Sequence, residues 1–341
     1  RFIAYREIQR NMATLKTELP KKIAGMYESN LNFVPSETYD VIMKQFSTFG
    51  PVTVKKISCK VEQISSNCAK QYMYDLKAIS SFKVSVPDEK TSPKIRSVLF
   101  VEGEKLFMVD VNSKSLNLYD IEGTLLHRVF TRGTPAFLSR LQGNRYAVTE
   151  PDICEISEYE LSNEIKFISS VKAPPGIFGI AVLNDVFVLT CMDCIRVIDQ
   201  SGKCLQYLNN DSSGKQLFSS IKYILSDPSD SVVYASDDVT NEVFAFKQHP
   251  ASKLLKQDPL KIYSDPRLKT PTGLNIDKFG NLLVCGFASD NIHLFDKEGV
   301  HLKILYSNIK CPLNLEWDSV YNRLVVSMSS STFHIQFFKT I

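Results

Sequence analysis

The chemistry this chain could perform rests first on its cysteines. Of the eight cysteines, only Cys191 and Cys194, in the stretch CMDC, have the spacing of a zinc-ligand pair. A structural zinc site needs a second pair of ligands, and none is suitably placed. We therefore predict that both cysteines pack beside a tight turn. Free thiols at irregular spacing are typical of a reducing compartment, so we expect a cytoplasmic protein.

Acids and histidines are the next candidates, because a metal-dependent hydrolase needs several of them converging on one point. Asp227, Asp277 and Asp318 each follow an apolar stretch and open the turns DPSDS, DKFGN and DSVYN. Aspartate in that position caps its own turn. The sequence also contains no Gly-x-Ser-x-Gly, P-loop or His-Glu-x-x-His motif. We predict no catalytic residue, metal or cofactor in this chain.

The five histidines do not change this prediction. All five lie on predicted outer strands or in a long insertion, away from any central channel. They are His127, His249, His293, His301 and His334.

The elements that would position these residues recur along the chain. Three stretches, SLNLYDIEGTLLHRVFT, CIRVIDQSGKCLQYLNN and NIHLFDKEGVHLKILYS, each combine an alternating strand, an Asp-x-x-Gly turn and a second alternating strand. The turn positions are Asp120 and Gly123, Asp199 and Gly202, and Asp296 and Gly299. Glycine can adopt the positive φ that a tight hairpin requires.

Weaker copies between these stretches give four strands in about 40 residues, the length of a β-propeller blade. An all-β, six-bladed propeller follows, with first strands starting near Ser97, Pro135, Ile177, Ser220, Thr272 and Leu313. The last blade is one strand short, because residues 335–339 align with the third strand of the others. Residues 75–84 match a fourth strand. We expect them to pair with 335–339 and to close a propeller over residues 75–341.

Before the propeller, residues 1–20 are predicted to be a helix that ends at Pro20. Its apolar residues form a heptad seam of Tyr5, Ile8, Met12, Leu15 and Leu19. The helix is either the tail of a coiled coil, which would allow a homodimer, or a helix packed on the propeller rim. Residues 21–74 are expected to be a linker with a short helix around 36–46.

Together these features resemble the NHL-repeat tripartite-motif family, particularly its molluscan members. The resemblance rests on the D-x-x-G turns, the coiled-coil tail and the linker LNFVPSETYDVIMKQFSTFGPV; the nearest approach to Asn-His-Leu is NIHL at 291–294. It implies a RING domain and B-boxes upstream, ubiquitin-ligase activity in the full-length protein, and a propeller that selects the substrate. The chain begins at Arg1 and contains no such zinc domains, so we expect it to be the non-catalytic recognition part.

Partner binding is expected in the loops between blades. Each carries a basic residue, and the candidates are Arg132, Lys172, Lys215, Arg267, Lys269 and Lys310. A protein partner is the first hypothesis. RNA is an alternative, because lysine and arginine neutralise phosphates, although the chain has only 40 Lys+Arg against 37 Asp+Glu. A hydrolase or lactonase with a metal in the channel is the second alternative. No apolar run is long enough to span a membrane, so we expect no membrane contact.

Overall fold

The computed structural model describes residues 74–85, 92–102, 104–227, 229, 231–330 and 334–341. Within these ranges the chain is all-β, with a single 3₁₀ turn at Pro151–Ile153 and no α-helix. None of the described residues belongs to a helix that could cross a membrane. The predicted helix of residues 1–20, with its seam from Tyr5 to Leu19, and the linker up to residue 73 lie outside the described residues, so those interpretations stay predictions.

The described residues form 24 β-strands. The first twelve are β1 (Leu76–Phe82), β2 (Ile95–Val101), β3 (Lys105–Asp110), β4 (Ser115–Asp120), β5 (Leu125–Phe130), β6 (Leu138–Arg140), β7 (Arg145–Glu150), β8 (Glu155–Leu161), β9 (Ile165–Lys172), β10 (Ile180–Leu183), β11 (Val186–Cys191) and β12 (Cys194–Ile198). The others are β13 (Cys204–Leu208), β14 (Ile221–Asp227), β15 (Val232–Asp237), β16 (Glu242–Lys247), β17 (Lys261–Tyr263), β18 (Pro271–Ile276), β19 (Leu282–Gly286), β20 (Asn291–Phe295), β21 (His301–Ser307), β22 (Pro312–Asp318), β23 (Arg323–Met328) and β24 (Ile335–Thr340).

These strands form six antiparallel sheets of four strands each. Blades one to five are the consecutive sets β2–β5, β6–β9, β10–β13, β14–β17 and β18–β21. Blade six has the order β22, β23, β24, β1, so its outer strand comes from the start of the described propeller. The prediction of an all-β, six-bladed propeller is confirmed.

The pairing of β1 with β24 is antiparallel. It runs from Leu76 opposite Thr340 to Phe82 opposite Ile335, with a bulge between Ala78 and Ser80. The sequence predicted this pairing between 75–84 and 335–339.

The Asp-x-x-Gly turns have the predicted geometry. In the first, the Asp120 carboxylate accepts the Thr124 N–H at 2.7 Å, and the Gly123 N–H donates to the Asp120 carbonyl at 3.2 Å. Gly123 has φ +92°, and a Cβ at this position would lie 2.7 Å from the ring of Phe82. Glycine is therefore required here both for the backbone conformation and for space.

The core lies between the blades. Buried apolar residues form six clusters. Five of them join two neighbouring blades, and the cluster of blades two and three also includes Tyr223 from blade four. The cluster between blades six and one, for example, combines Val325 and Phe337 with Val98 and Met108. Each sheet therefore has its apolar faces covered by its neighbours.

Cys191 and Cys194 are opposed residues at the ends of β11 and β12, on either side of a two-residue turn. Both are buried, and neither forms a disulfide. This agrees with the prediction of packing cysteines beside a tight turn.

The docking of β1 can be tested with two substitutions on the same strand. Leu76 is buried in a cluster with Trp317 and Phe338, whereas Ile79 is 46% exposed. Leu76→Ala should lower the free energy of unfolding by about 2–5 kcal/mol, because it leaves a cavity in the core. Ile79→Ala should change it by less than about 0.5 kcal/mol. Urea denaturation of both variants measures the difference, and equal effects would contradict the docking of β1.

Candidate functional site

Loops from all six blades meet on one face of the propeller. Because successive strands of a blade run in opposite directions, the loops that lead into the first strands lie on the same face as the turns between second and third strands. We call this the upper face. Lys172 is the last residue of β9, and the other predicted partner-binding residues lie in the loops between blades.

Two of these predicted residues converge on one carboxylate. Arg132 and Lys172 both form ion pairs with Glu155, and the Lys172 Nζ to Glu155 Oε1 distance is 2.7 Å. The pKa of Glu155 lies below its usual range, chiefly because Lys172 donates a hydrogen bond to it. The positive charges of Arg132 and Lys172 are thus partly compensated by Glu155 within the upper face.

Two further predicted residues are also paired. Arg267 Nε lies 2.8 Å from an oxygen of Asp265, and Lys310 Nζ lies 2.6 Å from Asp290 Oδ2. Exposed Lys215 and Lys269 are the members of the predicted set for which no carboxylate lies within 4 Å among the described residues. The structure therefore leaves two of the six predicted cations without a partner carboxylate.

The centre of the upper face contains a cavity of about 250 Å³. It lies at the mouth of the central channel, since it is bounded by residues at or next to the starts of first strands. We call it the mouth. Its lining consists of Lys94, Arg96, Phe137, Phe178, Lys222, Tyr223, Asp238, Thr270, Thr272, Phe287 and Leu313.

Aromatic rings and cations share the mouth. Phe137 and Tyr223 are buried and meet edge to face with ring centroids 4.9 Å apart, and the Arg96 guanidinium lies 6.0 Å from the Phe137 ring centroid. Phe178 and Phe287 are half-buried. Such a combination of fixed aromatic surface and charge is typical of protein-binding sites.

The net charge of the mouth is positive. Lys222 is paired with Asp238 at 2.5 Å. Lys94 and Arg96 have no carboxylate within 4 Å among the residues that the structure describes. Burial raises the pKa of the Tyr223 phenol, so this group is neutral and adds no negative charge.

Deeper in the channel, the half-buried carboxylate of Glu316 is surrounded by donors. Glu316 on β22 lies 3.3 Å from the Arg140 guanidinium and accepts a 2.8 Å hydrogen bond from the Asn275 side-chain amide. The pKa of Glu316 is raised, chiefly by burial, although Arg140 and Asn275 oppose this shift.

The aspartates predicted as turn caps have that role. Asp227 accepts hydrogen bonds from Ser229, Asp277 from the Phe279 and Asn281 N–H groups, and Asp318 from the Val320 and Tyr321 N–H groups.

Sequence analysis missed two sets of residues. Glu316, Arg140 and Asn275 come from three first strands, and only the alternation of those strands could have indicated that their side chains meet in the channel. Asp265, His293 and His301 also come together. Both histidines were assigned correctly to outer strands, but no motif links them to an aspartate in the preceding loop.

No family model matches the chain, and the search of curated proteins found no match either. Solved structures do match. A luciferin-regenerating enzyme has a TM-score of 0.58 at 13% identity, covering 78% of this chain and 95% of its own. A streptogramin B lyase has a TM-score of 0.53 at 17% identity, covering 78% and 87%.

A third similar structure is the β-propeller domain of Cps50 from Myceliophteria thermophila, with a TM-score of 0.55 at 13% identity, covering 74% of this chain and 84% of that one. At these identities the likeness shows the propeller fold alone. Since propellers carry unrelated functions, the assignment of a function depends on the residues of the site.

The raised pKa of Glu316 gives a pH-dependent prediction. A carboxyl whose pKa is raised by folding favours the native state only while it is protonated, so its contribution is lost as pH rises from the ordinary glutamate range through the folded-state pKa. Glu316→Gln removes the free-energy cost of holding an ionised carboxylate at this half-buried position. The stability of the variant minus that of the wild type, measured by urea unfolding, should be larger at pH 8 than at pH 4.

The matched control is Glu122→Gln, which changes an exposed carboxylate. The free energy of unfolding of Glu122→Gln should differ little from that of the wild type at both pH values. A Glu316→Gln difference that does not change with pH would mean that the channel carboxylate is not destabilised by burial.

Proposed function

We propose that this propeller is a protein-interaction module that holds its partner over the mouth on the upper face. The observation that carries the proposal is the ring of Phe137, Phe178, Tyr223 and Phe287 around a cavity of about 250 Å³, next to the unpaired cation of Arg96. Buried aromatic residues and arginine are the residue types that dominate binding energy at protein interfaces. The cavity can hold about one large side chain of a partner.

The finer proposal follows the family resemblance. In this proposal the chain is the substrate-recognition part of a tripartite-motif-like ubiquitin ligase, with the catalytic zinc domains elsewhere in the full-length protein. The D-x-x-G turns and the propeller support it. The coding sequence upstream of Arg1 tests it, because a RING domain and B-boxes require a ladder of cysteine and histidine zinc ligands. Homodimerisation through the seam from Tyr5 to Leu19 remains a prediction.

The ion pairs of the upper face make RNA a weaker candidate. Arg132 and Lys172 are paired with Glu155, Arg267 with Asp265, and Lys310 with Asp290. A phosphate would have to compete with these carboxylates for the same cations. Binding to RNA would also be expected to need a larger excess of positive charge than this face has.

The channel makes a hydrolase a weaker candidate as well. The acids that sequence analysis considered as metal ligands near first strands, Asp227, Asp277 and Asp318, lie at turns and accept backbone hydrogen bonds there. Glu316, which does face the channel, is paired with Arg140. The proposal therefore does not include catalysis by this chain.

The mouth is tested by truncating its two half-buried rings. Phe178→Ala combined with Phe287→Ala should weaken partner binding at least tenfold, because aromatic anchors at an interface each contribute more than about 1 kcal/mol. Partners are first captured from cell extract on the wild-type protein, with and without ribonuclease. Affinities of purified partners are then measured by calorimetry.

The control variant is Val320→Ala with Tyr321→Ala, two exposed residues in the turn between β22 and β23, on the opposite face. It should bind like the wild type, and both variants should retain the wild-type circular dichroism spectrum. Loss of the partner in the control variant but not in the mouth variant would contradict the proposal. Capture that depends on RNA would contradict it too.

RNA binding has its own measurable signature. Each phosphate neutralised on a single strand contributes about −0.7 to the slope of log affinity against log salt. If only Lys215 and Lys269 were available from the predicted set, the slope would be about −1.4, whereas contact by all six cations would give about −4. We expect weak binding of single-stranded RNA with the shallower slope. A slope near −4 with tight binding would favour RNA as the partner.

A further inference from the structure

Two thiols face each other at the upper end of blade three. Cys191 ends β11 and Cys194 begins β12, and they are opposed residues on either side of a two-residue turn. The turn joins a second and a third strand, so it lies on the upper face. Its Met192 carbonyl accepts a 2.6 Å hydrogen bond from the Ile221 N–H, which ties it to the first strand of blade four. Neither cysteine belongs to a disulfide in the described structure.

The spacing of the pair fits a disulfide. Opposed residues of two antiparallel strands have Cα atoms about 4.5 or 5.5 Å apart, and both values lie within the roughly 4.4–6.8 Å that disulfides span. The thiols of Cys191 and Cys194 are in hydrogen-bond contact with each other. The Cys194 Sγ also lies 3.5 Å from the Cys191 carbonyl oxygen. A bond between the two sulfurs therefore requires side-chain rotation and no rearrangement of the strands.

An arginine lies beside the same thiols. Arg196 is two residues from Cys194 on β12, so the two side chains are on the same face of the sheet. Its guanidinium contacts the Cys194 thiol, and its Nε is buried without a hydrogen-bond partner among the described residues. Leaving a buried cationic donor unsatisfied is costly. A thiolate at Cys194 supplies the negative charge and the acceptor that this guanidinium lacks.

The two thiols differ in acidity. The hydrogen bond with Cys191 and the guanidinium of Arg196 lower the pKa of the Cys194 thiol below its usual range. The pKa of Cys191 is raised by its hydrogen bond with Cys194 and by burial. Cys194 is thus the thiolate, the form that attacks an oxidant, and Cys191 is the thiol next to it. Cys285 in blade five differs from both, because burial alone sets its pKa and raises it.

A small oxidant can reach the pair although both residues are buried. Cys191 and Cys194 are 5% and 2% exposed. The side chain that contacts the Cys194 thiol from β13 is Tyr207, which is itself 56% exposed. Exposed side chains change rotamer within nanoseconds. Rotation of the Tyr207 ring uncovers the Cys194 sulfur to a molecule of the size of hydrogen peroxide.

We propose that Cys191 and Cys194 form a reversible disulfide, with hydrogen peroxide as the oxidant. The Cys194 thiolate attacks one peroxide oxygen, the O–O bond breaks, and the leaving hydroxide takes up the proton that Cys194 had released. The Cys191 thiol then attacks the sulfur of the sulfenic acid, the S–O bond breaks, and the second hydroxide leaves with the Cys191 proton as water. Two thiols lose two electrons and two protons, and the peroxide is reduced to two molecules of water. A dithiol reverses the bond by thiol–disulfide exchange.

Trypsin provides a direct readout, because the peptide of residues 173–196 contains both cysteines and no other. The reduced chain is treated briefly with hydrogen peroxide, blocked with an alkylating reagent and digested. Mass spectrometry should find this peptide two hydrogen atoms lighter and without alkyl groups, and dithiothreitol should restore both thiols. Oxidation of Met192 adds an oxygen atom and is thereby distinguished. Cys285 should stay reduced.

Two variants test the assigned roles. Cys191→Ser should lose the disulfide and leave Cys194 as a sulfenic acid that dimedone traps. Arg196→Gln should slow oxidation at neutral pH by about threefold for each unit by which the pKa of Cys194 rises, because the thiolate fraction falls more steeply than its nucleophilicity increases. An unchanged rate in Arg196→Gln would contradict the role of the arginine.

The matched control is Cys204→Ser, which removes an exposed cysteine on β13 and should form the disulfide like the wild type. All three variants should retain the wild-type circular dichroism spectrum. The proposal is overturned if the wild-type peptide stays reduced at peroxide concentrations that oxidise Cys204. It is also overturned if folded Cys191→Ser gives the same product as the wild type.

Discussion

Packing between neighbouring blades is the interaction on which the rest of this structure depends. A four-stranded sheet with apolar residues on both faces cannot be stable alone, and each of the six core clusters joins at least two consecutive blades. The mouth is built from the same packing. Phe137 of blade two and Tyr223 of blade four belong to one core cluster, and both residues also line the cavity. A partner therefore meets rings that are already fixed, which lowers the entropic cost of binding.

The fold could be predicted from the sequence because its signals are local and repeated. Asp296 and Gly299, for example, define a turn that the chain repeats with the same spacing, and alternation identifies the strands on either side of it. The site could not be predicted in the same way. The cations of the loops were found, but no local pattern brings Arg132, in the loop between blades one and two, to Glu155 on β8. Glu155 and Lys172 are opposed residues of the β8–β9 hairpin, and their pairing was missed because that hairpin is one of the weaker copies of the repeat. Contacts between blades depend on the geometry of the ring.

The channel carboxylate shows how the neighbours of an acid decide its chemistry. Glu316 faces the Arg140 guanidinium and the amide of Asn275, and both of these groups donate hydrogen bonds. Neither has a lone pair to offer a cation at that point. A divalent ion placed there would gain one carboxylate and meet a positive charge. Glu316, Arg140 and Asn275 are therefore satisfied as one hydrogen-bonded set, and the charge of each ionised group is balanced by its neighbour.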